Sequence, residues 1–165
     1  MKIFDCFMYF DEDIVLDVRL NYLFSHVDKF VIVEAKYNHN GEKRKPRFNI
    51  NNFSKFKDKI IYLLVDEDAP LIEKIYDTDN DNEKFGKQIM NSLKRENFQR
   101  NYIAKGLVEA SDDDWIIISD LDEIPNLTEN DLKSIRSPIV FFKQLMMYYK
   151  FNLVMNNFRW IGSKA

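Results

Sequence analysis

The stretch Trp115-Ile116-Ile117-Ile118-Ser119-Asp120-Leu121-Asp122-Glu123-Ile124-Pro125 decides how this chain folds and where its chemistry lies. A short isoleucine-rich run bounded by polar residues reads as a buried strand. It ends abruptly in three carboxylates, and Pro125 stops regular structure. Asp120 and Asp122 are two residues apart, so on extended chain they point to the same side. Carboxylates held that closely repel one another unless a cation sits between them. Oxygen-only ligands suit a hard divalent ion such as Mg²⁺ or Mn²⁺, and an ion held by few protein oxygens has positions left for a diphosphate.

Working outward, the same kind of apolar run recurs. Met1 to Phe10 predicts a first strand, Phe30 to Ala35 a second and Ile60 to Val65 a third. Val31, Ile32 and Val33 follow one another without alternation, as in a parallel sheet buried on both faces. Between the first two strands, Ile14, Leu16, Val18, Leu20, Leu23 and Phe24 are near helical spacing after an acidic start, which predicts a helix from Asp13 to Ser25. Lys36 to Asn52 is polar and basic and reads as a long loop. Asp66 to Asp81 is a second polar connection. Glu83 to Ala110 predicts a long helix, and Ser111 to Asp114 a turn into the Trp115 strand. Thr128 to Ile135 opens with a capping-box-like Thr128-x-x-Asp131 and predicts a short helix. Ile139 to Tyr149 and Phe151 to Met155 are further strand candidates. The order is that of an α/β protein with a mainly parallel central sheet flanked by helices. Ligands of such sheets bind beyond the carboxyl ends of the strands, where Glu34 and the Asp120–Asp122 segment both fall.

Composition narrows the function. The 165 residues fit one domain with a real core. With 24 basic against 27 acidic residues, net charge −3, the chain lacks the basic excess of a nucleic-acid binder. The single cysteine, Cys6, rules out an intrachain disulfide and reads as a buried small hydrophobe. No run approaches the roughly 18 apolar residues of a membrane span, and the first ten residues lack a signal-peptide apolar region. The expectation is a cytoplasmic protein, with peripheral attachment to a membrane left open. There is no G-x-G-x-x-G, G-x-x-x-x-G-K-[ST] or G-x-S-x-G, which argues against the corresponding dehydrogenases, nucleotidases and hydrolases.

The candidate site residues follow from these placements. Asp122 is read as a direct metal ligand, and Asp120 as a ligand of the metal or of a ribose hydroxyl. The alternative is a solvated turn capping the next element. Arg95 with Gln99, and Glu96 with Arg100, are four apart and share helix faces. They form either a salt-bridged surface helix or a row of donors facing a phosphate. Glu34 could accept a hydrogen bond from a base or ribose, or be a strand-end charge in water. Lys43, Arg44, Lys45 and Arg47 make a basic loop that either meets a diphosphate or is solvated. His26 and His39 have no partners at zinc spacing.

Several blocks in order carry a resemblance. Met1 to Phe10, Leu16-Asp17-Val18-Arg19-Leu20, Val27 to Ala35, Arg95-Glu96-x-x-Gln99-Arg100-Asn101 and Ser119 to Pro125 together resemble glycosyltransferase family 17. That family includes β-1,4-mannosyl-glycoprotein β-1,4-N-acetylglucosaminyltransferases. The resemblance implies a GT-A fold, a UDP-sugar donor (UDP-N-acetylglucosamine), Mn²⁺ or Mg²⁺ as cofactor, a glycan acceptor and an inverting transfer. Carried over by position, Asp120 and Asp122 are the D-x-D pair and metal ligands. Glu34, Arg95, Arg100, Asn101 and Asp120 are donor-binding, and no catalytic base is assigned. Members of the family continue beyond the position of Ala165, and Arg159 to Ala165 shows no closing element. The expectation is therefore one GT-A-like domain over residues 1–165, its donor-binding portion, with the C-terminal part missing. Phe141, Phe142, Met146, Met147, Tyr148 and Tyr149 would then leave an apolar edge that favours self-association into a homo-oligomer. A non-catalytic sugar-nucleotide or glycan binder is the rival reading, and another metal-dependent nucleotidyl or phosphoryl enzyme a third.

Overall fold

The structure, a computed structural model, describes residues 1–128, 131–150 and 152–165. Four parallel strands form the central sheet: β1 (Ile3–Tyr9), β2 (Lys29–Ala35), β3 (Ile60–Val65) and β4 (Trp115–Ile118), in the order β3-β2-β1-β4. The register places Phe4 opposite Lys29 and Ile116, and Ile32 opposite Tyr62. The apolar runs that mark these strands in the sequence are apolar because both sheet faces are covered. Helix α1 (Asp13–Leu23) lies on one face, with Leu16, Leu20 and Leu23 buried against Ile3, Phe7, Phe30 and Ile32. Phe48, Phe53 and Phe56 close the edge of that layer. The other face carries Phe4, Cys6, Val31 and Val33 under Phe98, Tyr102 and Ile103. This is an α/β fold with a parallel sheet flanked by helices, in line with the GT-A-like fold that the resemblance implies.

Helix α2 (Asp81–Asn101) is shorter than the periodicity suggests and starts earlier. Asn80 caps it: its side chain accepts from Glu83 N, and Glu83 answers on Asn80 N, a complete capping box. Past Asn101 the chain tightens into a 3-10 turn, Tyr102–Gly106. Gly106 ends that turn against the sheet, where a Cβ would stand 2.5 Å from Val31 Cγ1. The backbone comes closer to the sheet than a side chain would allow.

Two further expectations are corrected. Of the helix expected over Thr128 to Ile135, the described residues show only a 3-10 turn at Leu132–Ser134, capped by Asp131; Glu129 and Asn130 lie outside the described residues. The expected Ile139–Tyr149 and Phe151–Met155 strands are instead β5 (Gln144–Met147) and β6 (Val154–Trp160), an antiparallel pair with a register shift between Leu145 and Met147; Phe151 lies outside the described residues. This pair leaves Tyr148, Tyr149 and Phe141 exposed, whereas Phe142 is buried in the core and Met146 half-buried. The segment after Trp160, which shows no closing element in the sequence, is nonetheless fixed. Lys164 bridges Ile118 on one side and Phe141 on the other, and Ser163 is wholly buried. No helix of the described residues is long and apolar enough to cross a membrane.

Cys6 lies in the middle of β1 with no exposed surface. Burial, with the Asp5 carboxylate beside it, pushes its thiol far up, so the reactive thiolate is suppressed at neutral pH. A disulfide reagent at pH 8 is expected to label the denatured chain at once and the native chain only at its rate of opening. Rapid stoichiometric labelling of native protein would contradict this packing.

Candidate functional site

A cleft of about 770 Å³ opens beyond the carboxyl ends of β1, β2 and β4. Strand order reverses there, because β1 is followed by β2 on one side and has β4 on the other. Met8, Tyr9 and Phe10 come from the end of β1, Tyr37, Asn38 and His39 from the turn after β2, and Glu96, Gln99 and Arg100 from α2. Glu12 at the start of α1 and Asp120, Leu121 and Asp122 after β4 complete the wall. The α2 residues are placed by Gln99, buried, whose Nε2 donates to Val33 O at 2.9 Å.

The cleft holds the carboxylates of Glu12, Glu96, Asp120 and Asp122 against the guanidinium groups of Arg44 and Arg100. Arg100 Nη2 donates to Asp120 Oδ1 at 3.0 Å and to Glu96 Oε1 at 3.1 Å. Glu12 Oε2 is taken by the Phe10 and Asp11 backbone N–H groups. Asp122 is exposed and has no protein partner among the described residues. Glu123, the third acid of the segment, is turned back to accept from Asp120 N at 3.0 Å and from Trp160 Nε1. Hence no group of three or more His, Cys, Asp or Glu side chains gathers as a metal site among the described residues. Asp122, with the second oxygen of Asp120, offers a small, hard, negatively charged donor set. That set suits a divalent cation whose remaining positions are filled by a ligand's own oxygens.

Asn38 adds a second unsatisfied feature. Its Oδ1 is buried without a hydrogen-bond partner among the described residues. Such an atom costs about 1–3 kcal/mol when left unmet, which marks a group awaiting a donor.

The sequence-derived residues divide sharply. Arg100, Asp120 and Asp122 come together in the cleft, and Glu34, Arg95 and Asn101 do not line it. Glu34 has no exposed surface, and its oxygens accept from Arg47 N at 2.7 Å, Phe48 N at 3.1 Å and Tyr62 Oη at 2.8 Å, with Arg44 Nη1 at 2.9 Å. It therefore anchors the basic loop and orients Arg44, whose guanidinium stacks 4.0 Å from the Phe10 ring centre. Arg95 forks onto Asp68, Nε to Oδ1 at 2.7 Å and Nη2 to Oδ2 at 2.9 Å, which holds the Asp68 carboxyl below its usual range. The same guanidinium fills the space a side chain on Gly41 would need, 2.8 Å from its Cβ position, and Gly41 takes a φ of +95°. Asn101 is exposed at the end of α2.

Sequence reasoning missed Arg19. It is wholly buried under the Asp120–Asp122 segment, paired with Asp5 on β1. A signal existed: Arg19 occupies the apolar stripe of α1 between Leu16 and Leu23, and Asp5 the inward row of β1 with Ile3, Phe7 and Tyr9. Two opposite charges on facing buried surfaces imply each other.

No curated protein and no solved structure matches the chain. The family model of glycosyltransferase family 17 matches residues 1–164. With that match over nearly every residue, the chain belongs to glycosyltransferase family 17.

Proposed function

We propose that this glycosyltransferase moves N-acetylglucosamine from UDP-N-acetylglucosamine to a glycan acceptor with inversion, assisted by Mn²⁺ or Mg²⁺. The observation that carries the reading is the Asp122 carboxylate, unpaired among the described residues, in a cleft where four acids outnumber two guanidinium groups. A diphosphate alone would be repelled by such a surface. Asp122, with Asp120 beside it, would hold the cation, whose charge offsets that of the departing diphosphate. Arg100 is tied to Asp120 and Glu96 through Nη2, which leaves its other N–H groups for a phosphate oxygen. The buried Oδ1 of Asn38, without a partner among the described residues, supports accepting the imide N–H of uracil. Glu96 is shared with a neighbouring hollow of about 660 Å³ lined by Ile72, Ile75 and Leu93, a route by which an acceptor could reach the donor. In the transfer, an acceptor oxygen bonds to the anomeric carbon as the bond to UDP breaks, and the hydroxyl proton passes to a carboxylate base.

Calorimetric titration with UDP is the first test. Binding is expected to tighten at least tenfold when Mn²⁺ is added, and chelator is expected to reverse that tightening. UDP affinity indifferent to Mn²⁺ would remove the metal from the reading. Binding with no release of UDP from UDP-N-acetylglucosamine in the presence of glycan acceptors would favour the non-catalytic binder.

A further inference from the structure

We propose that Arg19 is a positioning residue that aims the Asp120 and Asp122 carboxylates into the cleft from beneath. The inference rests on the donor reading above and adds to it the device that shapes the site. Every N–H of the guanidinium has an acceptor. Nε and Nη2 fork onto the two Asp5 oxygens at 2.8 and 2.7 Å, and the second Nη2 proton meets Ser119 Oγ at 2.6 Å. Nη1 donates to the Asp120 and Leu121 carbonyls at 2.8 and 2.9 Å. Neither Arg19 nor Asp5 has any exposed surface, and the Phe7 ring closes over the guanidinium at 4.5 Å.

A buried ion pair is a poor device for stability alone, since apolar residues of similar volume often serve as well or better. What apolar residues cannot do is hold backbone carbonyls. With the carbonyls of Asp120 and Leu121 drawn inward, the side chains of Asp120 and Asp122 are presented outward to the cleft wall. Asp5 fixes the guanidinium plane, and that plane fixes the segment. Lysine has neither the planar fork nor enough donors for the task.

The test separates fold from aim. The double variant Asp5→Leu/Arg19→Met replaces the pair by apolar groups and is expected still to unfold cooperatively, at a midpoint lowered by the carbonyls and the Ser119 hydroxyl that lose their donor. Its UDP affinity without metal is expected to stay within about twofold, while the tightening produced by Mn²⁺ falls about tenfold or more. A purely structural pair would lower both together or neither. If the double variant does not fold, Arg19→Lys carries the test, with the same selective loss expected. Full Mn²⁺-linked tightening in either folded variant overturns the positioning role and leaves the donor reading standing. Wild-type protein that shows no Mn²⁺-linked UDP binding overturns the donor reading and this role with it.

Discussion

Asp122→Ala is expected to lower sugar transfer by about 10²–10³-fold, the usual cost of removing one group that stabilises developing charge. The unfolding midpoint should hardly move. Asp122 is exposed and makes no protein contact among the described residues, so its loss breaks nothing in the fold. Surface substitutions of that kind stay within about 0.5 kcal/mol. The measurement is UDP release from UDP-N-acetylglucosamine alongside denaturant unfolding of the same preparations. Asp120→Ala is the informative contrast, because it also frees Arg100, which then has only Glu96. A variant at Asp122 that keeps more than a third of the activity would show that the exposed carboxylate takes no part in the reaction.

Glu34→Gln is expected to act the opposite way, costing about 3–5 kcal/mol of stability as a buried ion pair loses one partner. The buried carboxylate accepts from two backbone N–H groups, a tyrosine hydroxyl and Arg44. Glutamine offers one acceptor oxygen and turns an NH₂ towards donors, while Arg44, a tenth exposed, is left without its counter-charge. Urea unfolding of the two proteins measures the difference. A loss below about 1 kcal/mol combined with a large fall in UDP affinity would return Glu34 to the donor-contact role suggested by its strand-end position. The structure makes it instead the anchor of the loop that carries Arg44.

These two acids show where reading the sequence works and where it stops. Both stand at the ends of apolar runs, and both look like ligands of whatever lies beyond the sheet. Asp122 meets no donor among the described residues, whereas Glu34 meets donors supplied by residues 44 to 62. Arg95 follows the same pattern, because Asp68 arrives from a polar connection with no periodicity to announce its position. The D-x-D spacing was legible, but the turning of Glu123 towards Trp160 was not, since those residues meet only when the chain folds back past β6.

Locally encoded chemistry determined the four parallel strands and the two helices: consecutive β-branched residues pack well only on a doubly covered sheet, and an apolar stripe at helical spacing needs a face to lie on. It also determined that acids would cluster at the carboxyl end of β4. The tertiary structure alone decided which of those charges would be free and which consumed. A charged group's role depends on the partners within hydrogen-bond reach, and for Arg19 those partners lie as much as 104 residues away along the chain.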